Sequence, residues 1–217
     1  MKQNLNRASS GLRKKIIGLH MTPAETQAFF KGLRKTVVTF FGYSVDYEDE
    51  ESMLLIAKHF LAKYSPKKAL INIGATAGGI GAVYPLAKEK GFMTTGIVSS
   101  LAAEHMEYIS DAVDHVCFVA DTQWGGKLPN SRQLSPTSKA MVACSEILIG
   151  IGGGEVTRDE LVAGKEAGKP VHFYPAEIDH EYLIGRARER KEPAPTSFWG
   201  AAHEVFGAKG RSQDVLT

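Results

Sequence analysis

Six short runs rich in β-branched residues constrain this chain more than any other feature. They are Thr36–Phe41 (TVVTFF), Ala69–Ile73 (ALINI), Met93–Val98 (MTTGIV), His115–Val119 (HVCFV), Ile147–Ile151 (ILIGI) and Pro170–Tyr174 (PVHFY). They are apolar on both faces rather than strictly alternating. Strands of that kind need cover on both sides, as in a parallel sheet packed between helices.

Helical patterns fill the gaps. Thr22-Pro23-Ala24-Glu25 reads as a capping box with proline at the first helical position, opening a helix to about Arg34. From Asp46 to Lys63, the residues Met53, Leu54, Ile56, Ala57, Phe60 and Leu61 share one broad face. The acidic start of that stretch, DYEDEE, suits the positive end of a helix dipole, and nothing nearby completes a metal site. Ile80–Lys90 and Val156–Ala167 follow, with Gly91 and Gly168 placed as C-caps. Pro136–Cys144 is a further short helix. Strands alternating with helices make βαβ units with right-handed crossovers. The expected fold is therefore α/β: a Rossmann-like three-layer domain with a mostly parallel sheet of about six strands.

A chain of 217 residues suits one large domain. Residues 1–21 read as a basic tail, 36–176 as the core, and 177–207 as trailing helices split by the turn KEPAPTS. The first 24 residues carry five Lys or Arg and no acid, which fits a solvated tail or a targeting segment. A formal net charge of +2 gives no electrostatic footprint for nucleic acid. No run of apolar residues is long enough to span a membrane, and no apolar signal region opens the chain. Cys117 and Cys144 stand alone in apolar segments, so they read as reduced, buried thiols of a cytoplasmic protein rather than a disulfide framework.

Two glycine clusters fall where strands give way to helices. One is Gly74-Ala-Thr-Ala-Gly78-Gly79-Ile-Gly81; the other is Gly152-Gly153-Gly154-Glu155-Val156-Thr157. In an open α/β sheet, ligands bind beyond the carboxyl ends of the strands. Glycine lets backbone approach a bulky anion, and the following helix offers free N–H groups. Two such clusters point to a phosphate or nucleotide-like ligand, although each alone reads as a tight turn. Familiar fingerprints are missing. No Gly-Lys-Ser/Thr follows either cluster, as a nucleoside P-loop requires. The first cluster is one residue longer than a dehydrogenase turn, and Ile97-Val98-Ser99-Ser100 supplies no acid for a ribose hydroxyl. The spacing of Tyr64 and Lys68 suits a dehydrogenase dyad, but the pair precedes the glycine loop. The seven histidines set up no metal-ligand spacing. No cofactor and no metal are expected.

The run from Ser138 to Pro175, SKAMVACSEILIGIGGGEVTRDELVAGKEAGKPVHFYP, resembles the signature half of the SLOG superfamily. That group includes cytokinin-activating phosphoribohydrolases, often labelled lysine decarboxylase-like, and DNA-processing, molybdenum-cofactor-carrier and nucleotide-sensing relatives. Its hallmark is PGGxGTxxE after a strand, then a helix and G-K-P-V. Upstream, GGIGAVYPLAKEKGFMTTGIV is similar to the family's other glycine loop. The likeness runs over about 140 residues, from the first strand to Pro175. It implies that Gly153 and Gly154 wrap a phosphate, that Thr157 adds a hydroxyl, that Glu160 is the catalytic carboxylate, and that Gly78, Gly79 and Gly81 line the facing loop. It also implies a homodimer. Two departures stand out: the hallmark proline is Gly152 and the last glycine is Val156. The family's upstream arginine is replaced by Ser138, next to Lys139, leaving Arg132 or Arg158 to supply a guanidinium from elsewhere.

These readings leave two functions open. One is hydrolysis of the N-glycosidic bond of a nucleoside monophosphate, with Glu160 as general acid/base near a carbon of oxocarbenium character. The other is a non-catalytic nucleotide sensor or cofactor carrier with the same pocket. Thr157 and Glu160 also fit a plain capping box. Arg158 and Lys139 either pair with phosphate or are surface charges. Trp124 sits in the aperiodic loop DTQWGGKLPNSRQLS, which is long enough to suggest function. It stacks on a base, packs under the loop, or lies at a dimer interface.

Overall fold

The computed structural model describes residues 17–207. Seven strands form one sheet: β1 (Ile17–Met21), β2 (Thr36–Phe41), β3 (Ala69–Ile73), β4 (Met93–Ser99), β5 (His115–Val119), β6 (Ile147–Ile151) and β7 (Val171–Tyr174). Their order is β1-β5-β4-β3-β2-β6-β7, and every pairing is parallel. All six expected strands are present within a residue of their expected bounds. The seventh, β1, comes from the last five residues of the stretch read as tail; residues 1–16 lie outside the described residues. It pairs with β5 along its length and closes that edge of the sheet.

The described residues form seven α-helices: α1 (Pro23–Leu33), α2 (Glu50–Ala62), α3 (Val83–Glu89), α4 (Pro136–Cys144), α5 (Glu155–Glu166), α6 (His180–Arg190), which buries no residue, and α7 (Ala201–Phe206). On one face, Met53, Ala57 and Phe60 of α2 and Val83, Tyr84 and Ala87 of α3 pack on Val38, Phe40, Ile71 and Ile73. On the other, Phe30 of α1, Ala140 and Met141 of α4, Leu161 of α5 and Ala202 of α7 pack on Val37, Phe41, Leu70 and Ile97. Neighbouring β2 residues therefore serve opposite layers, as a strand covered on both sides must. Both cysteines are buried and free, and burial pushes each thiol up to about 12, which keeps them protonated and unreactive.

Local chemistry sets the helix starts. Thr22 and Glu25 complete the capping box of α1 with Pro23 behind it, and Asp49 accepts the Ser52 N–H at the start of α2. Ser135 caps α4, with Pro136 in its first turn. Strands β2 to β5 step outward in one direction; the chain then returns to lay β6 on the other side of β2. The reversal between β2 and β6 is the place where an open α/β sheet leaves a crevice. Among the described residues, no helix is long and apolar enough to cross a membrane.

Candidate functional site

A cavity of about 540 Å³ opens beyond the carboxyl ends of β2, β3 and β4. Its walls are largely apolar, from Phe40, Ile73, Ile80, Ile97 and Met141. Glu160 and Thr157 of α5 and Thr137 of α4 bring polar groups to it. Near its mouth stand three rings that no sequence motif groups: His105, Tyr108 and Trp124. The size suits a ligand of nucleotide dimensions.

Helix α5 starts at Glu155, with Gly154 as N-cap and no side-chain cap. That start places Thr157 and Glu160 past the cap, so they do not form a capping box. The Thr157 hydroxyl instead donates to the Gly42 carbonyl at 3.1 Å, tying α5 to the end of β2. Glu160 sits one turn further on, only 5% exposed. Its Oε1 accepts a 2.6 Å hydrogen bond from the Ser138 hydroxyl. Burial pushes its carboxyl up to about 8, the Ser138 bond opposing the shift and the adjacent Asp159 charge adding to it. At neutral pH Glu160 is therefore mostly a protonated acid. Ser138 also accepts the Gly126 N–H at 2.7 Å, so one hydroxyl joins the long loop to the cavity acid.

No guanidinium reaches Glu160 among the described contacts. Arg158 turns to Asp159, its Nε lying 3.0 Å from Oδ1, and to Glu155 at 3.7 Å. Lys127 from the long loop completes the Asp159 pair at 3.1 Å. Lys139 is exposed on α4, and neither it nor Arg158 lines the cavity. Among the described residues, no lysine or arginine does. Phosphate held here would meet the first-turn N–H groups of α5, beside Val156 and Thr157, rather than a side-chain cation.

Of the glycines in the two loops, Gly74 lines the cavity and Gly78, Gly79, Gly81, Gly153 and Gly154 lie around it. Gly79, with φ of +55°, is wedged against the Tyr43 and Val45 carbonyls, a fit that leaves no room for a side chain. A Cβ on Gly78 would come within 3.1 Å of the Ser44 carbonyl, and Gly81 packs on Thr76. Gly153 gives its carbonyl to the Ala202 N–H at 3.1 Å, and Gly200 is packed against it, so the start of α7 covers that turn. Gly74 and Gly154 have open space beside their α-carbons. The first loop and the β2–α2 connection thus hold each other in place, while the second delivers α5.

Neither a protein-family model nor a curated protein matches the sequence. Solved structures are similar in fold. The molybdenum-cofactor carrier protein of Chlamydomonas reinhardtii is 24% identical over 65% of this chain and 76% of its own, with a TM-score of 0.47. The molybdenum-cofactor binding protein of Rippkaea orientalis is 22% identical over 65% and 77%, at 0.46. DNA processing protein A of Streptococcus pneumoniae is 16% identical over 80% and 62%, at 0.46.

Proposed function

We propose that this chain binds a nucleotide-like small molecule in the cavity at the ends of β2, β3 and β4, and holds it intact, as a sensor or carrier does. The observation that carries this reading is the setting of Glu160. It is buried at the cavity wall with a serine hydroxyl for its partner and, among the described residues, no lysine or arginine paired with it, a setting that pushes its carboxyl up to about 8 and favours the protonated form at neutral pH. A neutral carboxylic acid donates a hydrogen bond to a ligand carbonyl or ring nitrogen. It does not take a proton from water, and it does not stabilise a cationic sugar as a carboxylate would. The cation that would hold Glu160 ionised is absent from its surroundings: Arg158 is committed to Asp159.

One feature favours hydrolysis as a second reading. A carboxyl raised to about 8 is in the right form for a general acid that protonates a leaving base. A thermal-shift screen of nucleoside mono-, di- and cyclic phosphates on wild type and Glu160→Gln separates the two. A ligand at about 100 times its dissociation constant adds about 2.7 kcal/mol of stability, which is readily seen. Each hit is then incubated with wild type, and free base is measured by chromatography. Binding without base release is expected. Base released by wild type and not by Glu160→Gln overturns the carrier reading in favour of the hydrolase; the absence of any binding removes both.

A further inference from the structure

Trp124 is one of two tryptophans in the chain, and it is 59% exposed beside a largely apolar cavity. An indole that exposed is not packed beneath its loop. Tyr108, 67% exposed, stands nearby. Between them lies His105, whose ring centroid is 6.0 Å from Trp124 and 6.1 Å from Tyr108, with tilts of 39° and 42°. Neither pair meets face to face, so the rings keep open faces at the mouth.

The backbone under Trp124 is fixed on both sides. Before it, the Asp121 carboxylate accepts the N–H groups of Gln123 at 2.9 Å and Thr137 at 2.8 Å, and its carbonyl accepts the Ser100 hydroxyl at 3.1 Å. After it, Gly126 donates to Ser138, and Lys127 pairs with Asp159. Gly125 takes a φ of +118° there, with Val156 of α5 close against it. An exposed aromatic ring on an anchored backbone has already given up much of the freedom that binding would otherwise remove.

Building on the ligand-binding reading above, we infer that Trp124 stacks on the planar heterocycle of the bound molecule at the cavity mouth, making it a specificity-determining residue for aromatic bases over sugar phosphates alone. Every base offers a π-face, so stacking selects ring systems without selecting one base. The sugar and phosphate then lie toward the first turn of α5, where Val156 borders the cavity.

The test uses Trp199→Phe, which leaves Trp124 as the sole indole; Trp199 stacks on His203 away from the cavity lining. Nucleoside monophosphates and ribose 5-phosphate are titrated while fluorescence is recorded, and binding is measured in parallel by calorimetry. Quenching by the nucleotides and not by ribose 5-phosphate is expected. Trp124→Ala should weaken nucleotide binding about ten-fold or more, and Trp124→Phe should retain most of it. If nucleotides bind by calorimetry while the indole stays silent and Trp124→Ala binds equally tightly, stacking is refuted but the cavity reading survives. If no nucleotide binds at all, both readings fall. If Trp124→Ala changes the oligomeric state by sedimentation and leaves affinity unchanged, the indole belongs to an interface between copies and the inference is overturned.

Discussion

Two carboxylates one residue apart in α5 sit in opposite surroundings. Asp159 and Glu160 are both about 5% exposed or less. Asp159 faces the long loop, in a buried corner where Lys127 and Arg158 both reach Oδ1. Glu160 faces the cavity and meets one hydroxyl. The first corner neutralises a charge by pairing it; the second neutralises by keeping the proton. Cations are thus gathered at the Asp159 corner of α5 and withheld from its cavity side. A cavity without side-chain cations selects ligands by shape, ring stacking and hydrogen bonding more than by charge.

The largest expected effect separates the two corners by pH. The folded carboxyl of Glu160 lies at about 8, against an ordinary value of 4.5. The folded state therefore holds a proton that the unfolded chain has released. That contribution to stability is fully present below about pH 4.5 and is lost as pH rises to about 8. In the limit of one whole proton the fall is at most about 4–5 kcal/mol in total. Glu160→Gln cannot ionise, so its stability should lack this slope. Urea unfolding at pH 5, 7 and 9 reads it: the two proteins should be close at pH 5, and the variant clearly more stable at pH 9. Parallel curves would show that Glu160 does not carry its proton in the folded protein.

Asp159→Asn acts on the other corner and comes next in size. It strips the shared acceptor from two cations while leaving an amide in a buried position. Breaking a buried pair costs about 3–5 kcal/mol, but Lys127 and Arg158 are partly solvated. A loss of about 2 kcal/mol at pH 7 is expected in urea unfolding. The Asp159 charge also helps to raise Glu160, so the variant should shift the Glu160 titration downward. Carboxyl-carbon NMR of labelled protein follows that shift directly.

How much of this was legible in the sequence depends on what each residue serves. The core strands read true because a strand buried on both faces leaves its mark locally. The bounds of α4 follow from Ser135 and Pro136, a start signal two residues long. Strand β1 was hidden because IGLHM follows a run of basic residues and earns its place only by pairing with β5. At the site, the second glycine motif stands directly before α5, and Thr157 and Glu160 line the cavity. The glycines themselves were harder to read, because Gly79 answers to the Tyr43 and Val45 carbonyls, distant in sequence, and Gly153 to the Thr157 side chain and the Ala202 N–H. His105 and Tyr108 carry no motif; their signal was position alone, in the segment just past the end of β4. Ser138 was noticed as a departure from the family, but only the fold brings its hydroxyl to Glu160.

Ser138→Ala is the smallest of the three perturbations and discriminates most finely. The hydroxyl accepts from Gly126 and donates to Glu160, so its removal leaves an N–H and a carboxyl without that partner. A loss of about 1–2 kcal/mol is expected, since the alanine leaves little empty space. The more telling result concerns the proton. The Ser138 bond favours the ionised form of Glu160, so removing it should move the titration upward, opposite to Asp159→Asn. Opposite shifts from two neighbours of one carboxyl would establish that a hydroxyl on one side and a paired charge on the other jointly set its proton. Shifts of the same sign would mean that burial alone sets the proton, with Ser138 serving only to seat the long loop.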